Sequence, residues 1–267
     1  MKEFPENISQ KIQFEQFVQT FIKGHEQSNQ EDIEKIIQEI KILEKFSLYA
    51  KRFYCLFDHS KFYPVYLSEN VEKEGGYSID YILSQGLFFL FKRIHWKQLT
   101  LAYKVHVWGD RFQKLLGKST GLNTEVWCCG VKFKDKWNKW RTVILKQKML
   151  AKTKDNKALL SFIEAEEITA IYKADSVWFK ASCNINGRKI SRVYFSNGPK
   201  KESLDLLSPR EIEILRLAME NKSNQKIGEL LDISKNTVER HRKNMLARVG
   251  VKDMTALIRI CQIAKVI

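Results

Sequence analysis

Hydrophobic positions recur at different spacings along the chain, and the changes of spacing divide it. Phe14, Phe17, Val18, Phe21 and Ile22 stand at i, i+3, i+4, i+7 and i+8, which is one apolar stripe on an amphipathic helix. After a polar break over Gly24–Gln30 a second helix is predicted over about Glu31–Ala50, where Ile33, Ile36, Ile37, Ile40, Leu43 and Ser47 lie close to a heptad seam. Two roles suit these helices equally: covering the sheet of the next domain, or pairing with a second copy of the chain.

From Phe53 the pattern turns to β-branched and aromatic residues separated by turn formers. Arg52–Phe57 and Phe62–Leu67 read as a hairpin around Asp58-His59-Ser60-Lys61. Short helices follow around Asn70–Gln85, broken at Gly75-Gly76, and a longer helix over about Trp96–Leu116 ends at Gly117. Three strands are predicted over Thr124–Phe133, Arg141–Met149 and Leu159–Thr169, with Lys154-Asp155-Asn156-Lys157 as a turn. A further hairpin, Val177–Cys183 and Lys189–Phe195 around Asn184-Ile185-Asn186-Gly187, extends the sheet. Asn197–Ser203 has no apolar residue, carries Gly-Pro and reads as a linker.

Beyond it the spacing becomes helical, and every helix start is marked. Ser208 precedes Pro209 and has Glu211 three residues on, the capping-box spacing that satisfies the unpaired amides of a helix start. The first helix should run over about Pro209–Glu220, burying Ile212, Leu215, Ala218 and Met219 and leaving Arg210, Glu213, Arg216 and Glu220 to water. Ser223 or Asn224 caps a short second helix with Ile227, Leu230 and Leu231 on one side. Asp232-Ile233 makes the turn, and Ser234 caps a third helix over Lys235–Val249, which Gly250 stops. Val238, Met245, Leu246 and Val249 form its buried stripe, so Lys235, Asn236, Glu239, Arg240, Lys243 and Ala247 lie on the opposite side. Asp253 caps a fourth helix carrying Ala256, Leu257, Ile260 and Cys261. A short helix-turn-helix whose outer face is basic and rich in hydrogen-bonding groups suits the DNA major groove. Its first turn can reach base edges while Arg and Lys neutralise phosphates.

Composition adds a charge argument. The 267 residues carry a formal charge of +15. From Lys200 onward there are 14 basic and 9 acidic residues, net +5, which leaves +10 on the preceding part. Basic charge along the whole chain favours a polyanionic partner, and nucleic acid is the natural one. Five cysteines, Cys55, Cys128, Cys129, Cys183 and Cys261, form no C-x-x-C pair and have no histidine at zinc spacing, so they read as reduced core residues. The start Met1–Glu6 has neither a basic region nor an apolar run of the signal-peptide kind, and Leu87–Phe91 is far shorter than the ~20 residues of a membrane span. A cytoplasmic protein is expected.

The block from Leu207 to about Cys261 resembles the LuxR-type (GerE-like) helix-turn-helix of bacterial transcription regulators. Its usual pattern is L-[ST]-x-R-E-x-E-[IV]-L, then S-N-x-x-I-A, then I-S-x-x-T-V-x-x-H-x-x-x-[IM] and a closing L-G-V. Caps, turn and apolar positions coincide in order. Two departures stand out: Gly228 replaces the usual Ala, and Glu239-Arg240 replace the Lys-Val of many members. The resemblance implies that Lys235, Asn236, Thr237, Glu239, Arg240, Arg242 and Lys243 contact DNA, with Glu239 and Arg240 at positions that face bases. Phe62–Val71, with Ser68 and Asn70, followed by Gly76-Tyr77-Ser78 and Ile94-His95-Trp96-Lys97, resembles the PAS fold, whose members read S-x-N-x-x-x-x-x-G-Y-S and later h-H-P-x-D. Trp96 takes the place of that proline. Glu166-Glu167-Ile168-Thr169 stands where PAS domains often end in D-I-T.

The expected fold is α+β: amphipathic helices over 1–50, a PAS-like antiparallel sheet domain over 51–196, a linker over 197–203 and a four-helix helix-turn-helix domain over 204–267. Implied partners are double-stranded DNA, a second copy of the chain, RNA polymerase and a small-molecule ligand in the PAS-like domain, with no membrane involved. The alternative is a PAS-type protein scaffold that touches nucleic acid only nonspecifically. No Walker loop, G-x-G-x-x-G, G-x-S-x-G or H-E-x-x-H occurs, so an enzyme is not expected. The βα alternation of a phospho-receiver is also missing. Neither Gly86-Leu87-Phe88-Phe89 nor Gly121-Leu122-Asn123-Thr124 supplies the adduct cysteine of flavin-binding PAS domains, and His95 and His106 read as structural rather than haem ligands. No cofactor is assigned, and the ligand's identity stays open.

Overall fold

The computed structural model describes residues 30–46, 52–86, 89, 92–95, 98, 108, 112, 124–154, 158–185, 188–196 and 202–267. The first expected helix, most of the expected Trp96–Leu116 helix, the turn tips at 155–157 and 186–187, and residues 197–201 lie outside them. Of the Trp96–Leu116 helix, Gln98, Trp108 and Phe112 are described, and each is helical. The fold is α+β. Eight strands are hydrogen-bonded in the order β2-β1-β5-β4-β3-β6-β7-β8, with β1 Arg52–Asp58, β2 Tyr63–Leu67, β3 Glu125–Lys134, β4 Trp140–Lys152, β5 Ala158–Glu167, β6 Trp178–Ile185, β7 Arg188–Phe195 and β8 Glu202–Ser203. The chain forms two compact units: one comprises residues 1–92 and 147–164, the other 93–146 and 165–267.

In the first unit, α1 (Gln30–Phe46) starts on Glu31 and Asp32 and ends with Lys45 in its last turn, charges that complement the helix dipole. Its isoleucine stripe decides between the two roles open to it. Ile33 and Ile40 are buried, Ile36 and Ile37 pack beside them, and the surface they cover is Tyr54 and Leu56 of β1 and Leu160 of β5. The stripe is therefore the roof of a sheet. β1 and β2 pair antiparallel, Cys55 opposite Leu67, with a register shift between Leu56 and Phe57. The turn between them is closed by Asp58, whose Oδ1 accepts from the Ser60 amide at 2.8 Å and the Ser60 hydroxyl at 2.6 Å.

The element order from this hairpin through short helices to three long strands is the one that the PAS resemblance implies, and its signature residues have a local physical role. The Ser68 hydroxyl accepts from the Tyr54 amide at 2.8 Å, the Ser68 amide donates to the Tyr54 carbonyl at 2.9 Å, and Asn70 Nδ2 donates to the Arg52 carbonyl at 2.9 Å. Ser68 and Asn70 are both buried. They tie the start of α2 (Glu69–Gly75) to β1 where no strand could pair. Gly76 ends α2 at φ 77°, and the Ser78 hydroxyl then caps α3 (Ile79–Gln85).

In the second unit β6 pairs with β3 on one side and β7 on the other. It is buried on both faces from Trp178 to Cys183. Val177, Phe179, Ala181 and Cys183 point toward Trp108 and Phe112, while Trp178 points into a larger core built with the C-terminal helices. The last two residues of the expected linker are strand: Ser203 lies opposite Val193.

The Ser68 clamp is testable by urea titration. Ser68→Ala leaves the buried Tyr54 amide without its acceptor and should cost about 1–3 kcal/mol. An unchanged midpoint would show that the clamp holds nothing.

Candidate nucleic-acid interface

Four helices form the C-terminal segment: α4 (Pro209–Met219), α5 (Asn224–Leu231), α6 (Lys235–Val249) and α7 (Met254–Ile263). Each begins on a side chain that accepts from the backbone three residues on, namely Ser208 from Glu211, Ser223 from Lys226, Ser234 from Thr237 and Asp253 from Ala256. At α4 the box is reciprocal, since the Ser208 amide donates to Glu211 Oε2 at 2.8 Å. Glu211 does more than cap. It is buried, and Arg248 near the end of α6 donates to it through Nη1 at 2.9 Å and through Nη2. Desolvation pushes the Glu211 carboxyl up, but the Arg248 guanidinium and the Ser208 amide outweigh it and hold the group below the usual carboxylate range. Arg248 is thus the fastener between α4 and α6.

Burial follows the expected stripes with some exceptions. Val238, Met245 and Val249 of α6 are fully buried, as are Ala256, Leu257, Ile260 and Cys261 of α7. In α4 the deepest residues are Ile214 and Leu215, whereas Met219 is 42% exposed; in α5 Leu230 is 51% exposed. The turn between α5 and α6 is tight. Asp232 adopts φ 53°, and the Ile233 amide donates to the Gly228 carbonyl at 2.9 Å. A Cβ on Gly228 would stand 2.6 Å from the Ile233 carbonyl oxygen. What reads in sequence as lost helix propensity is room for the turn to close.

The outer face carries the expected residues. Lys235, Asn236, Glu239, Arg240 and Lys243 are exposed, and Thr237 and Arg242 are half-buried. Thr237 shares a hydrogen bond of 2.9 Å with the Ser234 hydroxyl at the cap. Asn224, at the start of α5, joins two of the others: its Oδ1 accepts from Arg242 and its Nδ2 donates to Glu239 Oε1 at 3.3 Å. Lys235 Nζ lies 3.8 Å from the same Glu239 oxygen. Arg242, Glu239 and Lys235 are therefore held in one polar chain across the helix pair. Among the described residues no hydrogen bond or ion pair engages Arg240 or Lys243. The surface thus offers two unengaged cations beside an oriented carboxylate.

The helices are seated on β3 and β6 by donors aimed at helix C-termini. Trp178 Nε1 donates to the Val249 carbonyl and Trp127 Nε1 to the Ile263 carbonyl, both at 3.2 Å. Lys180, fully buried, donates through Nζ to the Ala264 carbonyl at 3.0 Å and lies 3.3 Å from Asp205 Oδ1. Burial pulls the Lys180 ammonium below the usual lysine range even with Asp205 opposing the shift. The amides of Lys173 and Ala174 donate to the Gly250 carbonyl at 2.9 and 3.2 Å. Gly250 has φ 86°, and a Cβ there would meet Ala174 Cβ at 2.7 Å, so it both stops α6 and admits this close approach. Neither the two indole donors nor Lys180 stands out in the sequence as a seat for the helices. The one signal of Lys180 is a lysine in the middle of a run of apolar and small residues.

The segment fits a known pattern. The model of the GerE family, described as bacterial regulatory proteins of the luxR family, matches residues 205–261. Residues 205–261 are a luxR-family GerE domain. The transcriptional regulatory protein MctR of Rhizobium johnstonii is 39% identical over 75 residues, 25% of this chain and 35% of MctR. LiaR of Bacillus subtilis is 38% identical over 98 residues, 36% of this chain and 46% of LiaR. This chain spans less than half the length of either relative. Among solved structures, a PAS domain from a two-component sensor histidine kinase overlaps 49% of this chain and 97% of its own at 14% identity and a TM-score of 0.32. A Vibrio cholera VqmA–ligand–DNA complex overlaps 82% of this chain and 85% of its own at 15% identity and a TM-score of 0.29. Overlaps this loose establish no common fold.

Other chemistry is sparse. Among the described residues no group of three or more His, Cys, Asp or Glu could hold a metal ion, and no helix is long and apolar enough to cross a membrane. All five cysteines are free thiols. Burial pushes Cys55 and Cys261 up to about 12 and Cys128 and Cys129 further, which keeps them unreactive near neutrality. A cleft of about 350 Å³ under α1 is lined by Asp32, Lys35, Ile36, Leu150, Ala151, Leu159 and Leu160.

The Glu211–Arg248 fastener yields a pH prediction. Because the folded-state carboxyl lies below its ordinary value of 4.5, its stabilisation is fully present above that value and is lost as pH falls through the folded-state value. Glu211→Gln should cost about 1–3 kcal/mol at pH 7. The gap from the wild type should close in urea titrations run below pH 4.5. A gap constant with pH would refute the assignment.

Proposed function

We propose that the protein is a transcription regulator that binds double-stranded DNA with α6 in the major groove. The observation that carries this reading is the outer face of α6, a capped helix with Arg240 and Lys243 unengaged and Glu239 oriented beside them, in a segment of the luxR family. Lys235, Arg242 and Lys243 serve phosphates, with Arg242 held in position by Asn224. Asn236 and Thr237 occupy the first turn, nearest the groove floor. Glu239 accepts from a cytosine amino group, and Arg240 pairs bidentately with guanine. The PAS-like part takes the sensory role, with a small-molecule ligand as its input, and RNA polymerase is the downstream partner.

Arg240→Ala should cost about 1–3 kcal/mol on a duplex selected from genomic fragments and little on a scrambled one. Glu239→Lys should tighten binding to both while narrowing the difference, since it exchanges a discriminating acceptor for a phosphate-seeking cation. Affinities on the two duplexes at two salt concentrations decide this. Equal losses for Arg240→Ala would make it a phosphate contact.

A homodimer follows from the same reading, because a helix-turn-helix of this size gains affinity and register from two half-sites one or more helical turns apart. The α1 stripe is already spent on the sheet, so the dimer contact lies elsewhere. Sedimentation with the selected duplex should give two chains per site, and one chain per site would exclude the dimer.

A further inference from the structure

The turn between β3 and β4 is organised far beyond what connecting two strands requires. Asp135 is fully buried, and its Oδ1 accepts from the Trp137 amide at 3.0 Å and the Lys139 amide at 2.8 Å, while its Oδ2 accepts from Arg141 Nε at 2.9 Å. Backbone bonds from the Asp135 amide to the Lys139 carbonyl and from the Asn138 amide to the Asp135 carbonyl close the loop, with Asn138 at φ 62°. Everything this frame holds outward is cationic, amide or aromatic. Lys136, Asn138 and Lys139 are exposed, and Trp137 and Trp140 keep 56% and 43% of their surface in water. Lys134 Nζ lies over the Trp140 ring, 5.8 Å from its centroid.

Trp140 rests against the His95 ring at 5.1 Å between centroids, whereas Trp137 leaves more than half of its surface in water, and a locked turn removes the entropy that ordering it on a ligand would cost. The charge balance fixes the ligand's sign. The acid within the turn, Asp135, is consumed by Arg141, and among the described residues no ion pair engages Lys136 or Lys139. Alternating ammonium groups and indole faces match the phosphates and deoxyribose edges of a duplex. The GerE domain belongs to the same compact unit.

We propose that this hairpin is a second DNA contact, in which Lys136 and Lys139 take backbone phosphates and the Trp137 indole packs on a deoxyribose of the duplex. The proposal rests on the DNA-binding reading and adds to it a contact outside the helix-turn-helix. In the full-length protein Lys136→Ala/Lys139→Ala should weaken binding to selected and scrambled 40-bp duplexes alike and lower the salt slope by about 1.8 for each bound chain, that is ~0.9 for each phosphate released. Trp137→Ala should weaken binding to both duplexes with a smaller change in slope, because it removes apolar packing and no charge. Thermal melts should be unchanged, since both substitutions lie on the solvent side of the Asp135 frame. Unaltered affinity and slope in the double lysine variant would overturn the proposal, as would loss of binding to phosphatidylglycerol vesicles with DNA binding intact. Failure of the α6 reading is a separate outcome: Arg240→Ala would then leave binding to both duplexes unchanged while the hairpin variants still lowered the slope. A wild-type protein that bound neither duplex would overturn both.

Discussion

A helix ends with carbonyls that have no partner of their own, and here the sheet supplies the partners. Trp178 and Trp127 donate to the last turns of α6 and α7, Lys180 to the carbonyl of Ala264 that closes α7, and the backbone of Lys173 and Ala174 to Gly250. An ammonium as deeply buried as that of Lys180 is tolerable only because a helix carbonyl, Asp205 and the face of the Trp127 ring surround it. Seating the helices and satisfying Lys180 are therefore one condition. Each is costly without the other, and this makes the placement of the C-terminal helices specific where apolar burial alone would let them slide.

The outer face of α6 depends on that seat and on the fasteners behind it. Glu211 caps α4 and grips Arg248 with the same carboxylate, which orients α4 and α6 from inside, while Asn224 couples the start of α5 to Arg242 and Glu239 from outside. Gly228 lets the turn between α5 and α6 close without a side chain in the way. A surface presented by rigid helices holds its hydrogen-bonding groups near the geometry that base edges demand, and this keeps the entropic cost of recognition low.

Local rules made much of this legible in sequence. The caps at Ser208, Ser223, Ser234 and Asp253, the stop at Gly250 and the hairpin at Asp58–Lys61 each depend on residues within a few positions, and each was found where spacing put it. Helical periodicity located the stripe of α6 but misjudged α4, where Ile214 is deep and Met219 exposed, because which edge of an amphipathic helix is buried is set by its neighbours. Other features were not legible for the same reason. Glu211 finds Arg248 far along the chain, Lys180 finds Ala264, and Ser203 pairs with Val193 inside what composition marks as linker. The isoleucine stripe of α1 fitted a sheet or a partner equally well until the surface of β1 was there to receive it.

Seat and DNA face lie on different sides of the C-terminal helices. The sheet takes the carbonyl ends of α6 and α7, while Lys235, Asn236, Glu239, Arg240 and Lys243 remain exposed. The seat therefore leaves the proposed groove-binding surface open. A ligand shifts an equilibrium only by the difference in its affinity for two states. With the α6 face open in the seated state, a ligand of the proposed kind would act on how the seat places one GerE domain relative to another in the proposed dimer. The donors on Lys180, Trp127 and Trp178 are the contacts through which such a change would pass.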